Sequence, residues 1–250
     1  LANLFTGRRI QANHPQIRSR KPVRFALVRK INPKTLMEEN VLILGATSDM
    51  AVAIARQLAT EGYSITLAGR SKERLEALES DLRVRHKIMV SSAVFDALDF
   101  NSHQKFYDSL SEKPDIVICV FGFLGDQQQA QTDWNHCADI IHSNYTGAVS
   151  ILNVVATDFE RRKKGMIVGI SSVAGERGRQ SNYIYGSAKA AFTAYLSGLR
   201  NRMFQHGVHV MTVKPGFVKT KMIEGLTTPG PLTASPKAVA TRVSKAMRKK

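Results

Sequence analysis

Cysteine is scarce in this sequence, tryptophan scarcer, and no apolar run approaches the thickness of a bilayer; each shortage removes a class of protein. The two cysteines, Cys119 and Cys137, stand far apart and form no CxxC. That spacing argues against a disulfide framework or a zinc knuckle and for a reducing, cytoplasmic setting with no metal site. The longest strongly apolar run, Ile116 to Leu124, is far shorter than the roughly 20 residues a spanning helix needs. The Arg-rich, acid-poor opening segment lacks the apolar stretch of a secretory signal and reads as a poorly ordered basic extension over residues 1–40 rather than a transit peptide. Leu at position 1, and a chain that ends soon after its sixth strand, suggest trimming at both ends.

Acidic residues are also too few to balance the basic ones, 20 against 36, for a net charge of +16. A nucleic-acid binder would show that sum, but not this distribution. Residues 1–40 hold nine basic and two acidic residues, residues 237–250 hold six basic and none acidic, and only +3 remains for residues 41–236. With one tryptophan and a nearly neutral body, nucleic acid is not expected as a partner. The basic ends suit solubility or peripheral contact with an anionic lipid surface, which attracts about 1 kcal/mol per nearby Lys or Arg.

What is present from residue 41 onward is an alternation of short β-branched runs with helix-period segments, the pattern of a parallel sheet covered on both faces. Strands are expected at Val41–Leu44, Ser64–Ala68, Ile88–Phe95, Asp115–Val120, Gly165–Ile170 and Val208–Val213. The helix from Ser48 to Glu61 carries Ala51, Ala55 and Ala59, a small-residue face that lets it lie close to the sheet. The next, from Ser71 to about Arg83, turns Leu75, Leu78 and Leu82 inward. Residues 228–236 read as a Pro-rich surface loop, and Pro236 to Lys250 as a basic helix.

The segment Val41-Leu-Ile-Leu-Gly45-Ala-Thr-Ser-Asp49-Met-Ala51 leads from a strand through a tight turn into a helix, aiming backbone N–H groups at a pyrophosphate. Gly45, Thr47, Ser48 and Met50 are its expected contacts. One glycine stands where the dinucleotide fingerprint has three, with Asp49 and Ala51 in the later two places. Ala51 is small enough for close packing, whereas Asp49 must turn to solvent or cap the helix. At the end of the second strand Gly69 replaces the carboxylate that selects NAD, and Arg70 beside it offers a donor fork to a 2′-phosphate. NADP is therefore favoured over NAD.

Further on come Ile170-Ser171-Ser172 and Tyr183-Ile-Tyr185-Gly-Ser-Ala-Lys189. Tyr185 and Lys189 lie one helical turn apart on one face. A free phenol, with a pKa of about 10, is a sluggish acid at neutral pH, and a neighbouring ammonium is expected to stabilise its phenolate. Ser172, at a strand end, can donate to an oxygen that is gaining negative charge.

Tyr-x-x-x-Lys preceded by Ser thirteen residues earlier resembles the catalytic signature of the short-chain dehydrogenase/reductase family, over residues 41 to about 222. The match selects Tyr185 over Tyr183, which has Ser187 at the lysine offset, and Ser172 over Ser171. It implies an α/β fold with a Rossmann-type doubly wound parallel sheet, three layers in one catalytic domain over residues 41–250. It also implies hydride transfer between NAD(P) and a carbonyl or secondary alcohol, with Ser172 and Tyr185 on the substrate. Asn144 in Ser-Asn144-Tyr-Thr-Gly147 resembles the fourth catalytic residue, which holds a relay water. Lys214-Pro215-Gly216-Phe-Val218-Lys-Thr220 resembles the segment closing over the nicotinamide carboxamide, and Asp96 the residue that bonds adenine. The family's Asn-Ala-Gly after the fourth strand is replaced by Val120-Phe121-Gly122, which keeps only Gly122.

Phe95-Asp-Ala-Leu-Asp99, Phe121-Gly-Phe-Leu-Gly-Asp126, Asn144 to Ser150, Ala174-Gly-Glu-Arg-Gly-Arg179 and Ser181-Asn182 resemble one branch of that family. Its reductases act on a polyprenyl-phosphoryl 2-keto-pentofuranose. The resemblance implies a lipid-linked phosphosugar; Arg177 and Arg179, on the loop after Ser172, and Lys221 are the cations expected to face its phosphate, beneath a lid over residues 222–235. A generic carbonyl or 3-oxoacyl reductase stands beside this reading, as does a non-enzymatic dinucleotide sensor, which an intact Ser–Tyr–Lys–Asn set disfavours. Apolar faces at Ile151, Val154 and Val155 and at Phe192, Leu196 and Leu199 fall on the helices that usually form the family's subunit interface, implying a homodimer or homotetramer.

Overall fold

The computed structural model describes residues 39–225 and 230–249. The extension expected over residues 1–40 lies outside them except for Glu39 and Asn40, and the lid expected over 222–235 lies outside them at 226–229.

Sixteen strands and helices follow one another along the described chain: β1 (Asn40–Leu44), α1 (Asp49–Thr60), β2 (Ser64–Gly69), α2 (Lys72–His86), β3 (Val90–Val94), α3 (His103–Asp108), β4 (Ile116–Cys119), α4 (Gln127–Thr132), α5 (Trp134–Ile141), α6 (Gly147–Arg162), β5 (Gly165–Ile170), α7 (Tyr183–Phe204), β6 (Val208–Val213), β7 (Phe217–Val218), β8 (Thr233–Ala234) and α8 (Pro236–Met247). Six strands form one parallel sheet in the order β3-β2-β1-β4-β5-β6. The chain builds outward from β1 in one direction and then returns to β1's other side through β4. Strand order therefore reverses between β1 and β4, and a crevice opens beyond their carboxyl ends, where ligands bind in such sheets.

Residues of β1 alternate between two cores. Val41 and Ile43 face the layer of α1, α2 and α8, while Leu42 and Leu44 face that of α3, α6 and α7. Both faces are covered, which is why these strands read as near-continuous apolar runs. On α1 the small face is completed by Ile54 and Leu58, and Ser48 caps the helix by accepting the Ala51 N–H at 3.2 Å. Ser71 caps α2 in the same way, and Leu75, Leu78 and Leu82 are its buried residues.

One expectation fails here. Ile151, Val155, Phe192, Leu196 and Leu199 are buried inside the chain's own second core, against the sheet, so those faces give no argument for a subunit interface. Their helical spacing was legible, but which partner covers an apolar face is a tertiary fact. The basic carboxyl end forms a helix from Pro236, as its sequence suggests, and packs on the folded body. Helix α8 buries Val239, Ala240, Val243 and Met247 against α1, and Glu61 at the end of α1 pairs with Arg248 at 2.7 Å and accepts from Ser244 Oγ at 2.7 Å. The expected loop before it contains β8, which pairs with β7. No helix among the described residues is long and apolar enough to cross a membrane.

Candidate active site

A cleft of about 590 Å³ opens at the carboxyl ends of β1, β2 and β4. Gly45, Thr47, Ser48, Met50, Arg70, Asp96, Gly122 and Thr220, the residues expected to meet a dinucleotide, line it. Gly45 is required by its left-handed backbone (φ +84°) and by Phe121, whose backbone would lie 2.7 Å from an added Cβ. Gly69 is different: a Cβ there would have its nearest neighbour 3.7 Å away, so the carboxylate of NAD-selective sites is absent without steric compulsion. Arg70 is exposed at the cleft wall. One turn later Arg74 also lines the cleft and donates to the Thr47 carbonyl at 2.7 Å, tying α2 to the phosphate turn. The Asp96 carboxylate accepts the Leu98 N–H at 3.0 Å, and buried His103 holds the Asp96 carbonyl through Nε2 at 3.0 Å.

Asp49 neither faces only solvent nor caps its own helix. Its Oδ2 accepts the Lys221 N–H at 2.7 Å, so the first residue of α1 grips the turn at Lys221–Ile223. Lys221 and Met222 join Thr220 on the cleft wall.

A second cavity, about 170 Å³, shares Met50, Thr220 and Met222 with the cleft. It brings together Ser172, Tyr185 and Arg179 with Pro215, Gly216 and Val218; these last three line this cavity and not the larger cleft. Arg177 lines neither. Ser171 also borders the cavity, but its hydroxyl is engaged with the Lys189 carbonyl at 3.0 Å and with Thr193 at 2.7 Å. Ser172 accepts the Ala174 N–H at 3.1 Å, which holds the turn that follows β5.

Lys189 is buried behind this cavity, where Nζ donates to the Ile170 carbonyl at 3.1 Å and lies 5.8 Å from the centroid of the Tyr185 ring. Desolvation pulls the Lys189 ammonium down to about 8. Burial also raises Tyr185 above its ordinary value, with only the neighbouring Ser172 hydroxyl acting the other way. The expected lowering of the phenol by the ammonium is thus not found in this arrangement, where burial outweighs the one opposing contact, from Ser172.

Asn144 sits in a π-helical turn, His142–Thr146, between α5 and α6. Its Nδ2 donates to the Ile140 and Phe123 carbonyls at 2.7 and 2.6 Å, and its Oδ1 accepts the Phe123 N–H at 3.2 Å. A π-bulge frees carbonyls from the helical ladder, and here the Asn144 side chain satisfies one of them while clamping the loop after β4. The clamp explains the retained Gly122, since an added Cβ would fall 2.7 Å from Asn144 Oδ1 and 3.2 Å from Lys189 Nζ.

Residues 39–229 match the family model for short chain dehydrogenases. The chain belongs to the short-chain dehydrogenase family. It is 37% identical to an uncharacterized oxidoreductase of Mycobacterium tuberculosis over 210 residues, 83% of this chain and 84% of that protein. A sulfoacetaldehyde reductase of Chromohalobacter salexigens is 33% identical over 74% of this chain and 75% of its own length. Among solved structures, a short-chain dehydrogenase from Sphingobium yanoikuyae in complex with NADPH superposes with a TM-score of 0.76 at 25% identity, covering 84% of this chain and 85% of that one.

This short-chain dehydrogenase is an oxidoreductase acting on CH–OH groups with NAD(P). Sequence reading missed Arg74, although its place one turn after Arg70 was a usable signal. It gave Asn182 no role, and nothing local marks that residue as part of the cavity wall.

Proposed function

We propose that this short-chain dehydrogenase is an NADP-preferring reductase in which Tyr185 protonates the oxygen of a small, polar carbonyl substrate. The observation that carries the reading is that Ser172 and Tyr185 share a cavity opening onto the larger cleft with Arg70 and Arg74 on its wall. When bound, the dinucleotide supplies or takes the hydride. Gly45, Thr47, Ser48 and Met50 hold its phosphates, Asp96 its adenine, and Pro215 to Thr220 its nicotinamide end. Arg70 and Arg74 hold the 2′-phosphate, and the NADPH in the Sphingobium relative supports that preference.

On the protein's side, Ser172 steadies the carbonyl oxygen while Tyr185 delivers the proton. A phenol kept neutral by burial has the right protonation state for that step. Lys189 replenishes charge and proton behind it, and Asn144 keeps the loop after β4 clear of the site. Arg179 on the cavity wall favours a substrate bearing an anionic group, a property that also fits a relative named for sulfoacetaldehyde. The lipid-linked keto-pentofuranose is the second reading, supported by Arg179 and the branch-like stretches; Arg177, outside the cavity wall, lends it nothing.

Titration with NADPH and NADH, followed by NADPH oxidation with sulfoacetaldehyde, 3-oxoacyl thioesters and a polyprenyl-phosphate keto-pentose, tests the reading. Tighter NADPH binding and turnover of an anionic carbonyl are expected. Preference for NADH, or no carbonyl reduced, overturns it.

A further inference from the structure

Among the described residues only two buried side-chain polar atoms have no hydrogen-bond partner, Gln127 Nε2 and Asn182 Oδ1. Buried polar atoms are nearly always paired, so each asks for a cause. Asn182 stands at the cap position before α7, where asparagine usually accepts an N–H from the first helical turn. Here it makes no such bond. The task falls to Gln127, whose Oε1 accepts the Ile184 N–H at 3.1 Å from 57 residues away.

The backbone of Asn182 is fixed on both sides: its N–H donates to the Arg179 carbonyl at 3.0 Å and its carbonyl accepts the Gly186 N–H at 2.8 Å. Asn182 lines the cavity together with Arg179, Ser172 and Tyr185, and its unpaired Oδ1 lies buried at that wall. An acceptor on a fixed backbone, relieved of its capping duty and placed three residues before the phenol, needs only a side-chain rotation to meet a donor near the reacting carbon.

We propose that Asn182 is a specificity residue, accepting a hydrogen bond from a hydroxyl or ammonium on the carbon next to the reacting carbonyl. This rests on the reading of Tyr185 as the proton donor. It narrows the substrate class to α-hydroxy or α-amino carbonyls, with Arg179 free to meet an anionic group further out. A ketone without the donor would bury the Asn182 oxygen unpaired, a penalty that discriminates more strongly than the bond itself stabilises.

The test uses 2-butanone, hydroxyacetone and aminoacetone, which have the same number of heavy atoms and differ at one terminal group. Hydroxyacetone, aminoacetone or both should exceed 2-butanone in kcat/KM by on the order of tenfold or more; which of the two leads tells hydroxyl from ammonium. Asn182→Ala should bring that ratio near unity with NADPH affinity retained, while Asn182→Asp, which keeps an acceptor, should preserve it for aminoacetone. Equal efficiency on all three ketones, or a preference that survives Asn182→Ala, overturns the role of Asn182 alone. NADPH consumed with none of the three but with sulfoacetaldehyde, which has no such donor, overturns this inference and leaves the reductase reading standing; NADPH consumed with no carbonyl at all overturns both.

Discussion

Asp49 Oδ2 and the Lys221 N–H meet at 2.7 Å although 172 positions separate them in the chain. The bond joins the first turn of α1, where the cofactor's phosphates are proposed to lie, to the segment bordering both cavities. It closes the cleft with a carboxylate in the place where the family fingerprint has glycine. A dinucleotide in the cleft is expected to be held by this latch. Asp49→Ala should therefore speed NADPH dissociation, measured by stopped-flow fluorescence, on the order of tenfold for one charge-assisted bond at a partly exposed site. A slower or unchanged off-rate would mean that relief of repulsion with the phosphates outweighs the latch.

Tyr185→Phe should keep NADPH affinity within a few-fold and lower turnover by about 10² to 10⁴, the usual contribution of a positioned general acid. Near wild-type turnover would assign the proton to another group.

Arg70 and Arg74 should separate in their effects. Arg70→Ala should weaken NADPH at least tenfold and leave NADH nearly unchanged, because only NADPH presents the 2′-phosphate. Arg74→Ala should weaken both, since it also releases the Thr47 carbonyl. Equal losses for both cofactors in Arg70→Ala would remove Arg70 from the phosphate site.

Lys189 carries a prediction in pH. Its folded value of about 8 lies below the unfolded 10.5, so between those values the unfolded chain binds more protons and stability rises with pH. Below about 8 the penalty for burying the ammonium is present in full, on the order of 3 kcal/mol for the cofactor-free protein. Lys189→Met should accordingly raise Tm at pH 7 while abolishing turnover, and should flatten the stability gain between about pH 8 and 10.5. In the reductase direction kcat/KM should fall as pH rises through about 8, when Lys189 loses its charge. A rate independent of pH from 7 to 9.5 would refute the assignment of Lys189 to proton supply.

The sequence by itself determined the sheet, because buried parallel strands leave an uninterrupted apolar record: the limits of Gly165–Ile170 and Val208–Val213 agree with the structure residue for residue. It also determined the spacing of Ser172, Tyr185 and Lys189, whose relation runs through one strand end and one helix. Tertiary structure alone decided what lies opposite each group. Ile151 and Phe192 carry the same periodicity whether they face a sheet or a second subunit, and only packing turned them inward. Lys189 was close enough to Tyr185 in sequence to suggest an ammonium holding down a phenol, yet burial, which only packing decides, raises the phenol and lowers the ammonium. Asp49 with Lys221, and Gln127 with the start of α7, are pairings between segments distant in the chain. Local pattern encodes which face of an element is apolar and how its ends are capped; it carries no record of which distant backbone group a side chain will meet once the elements pack.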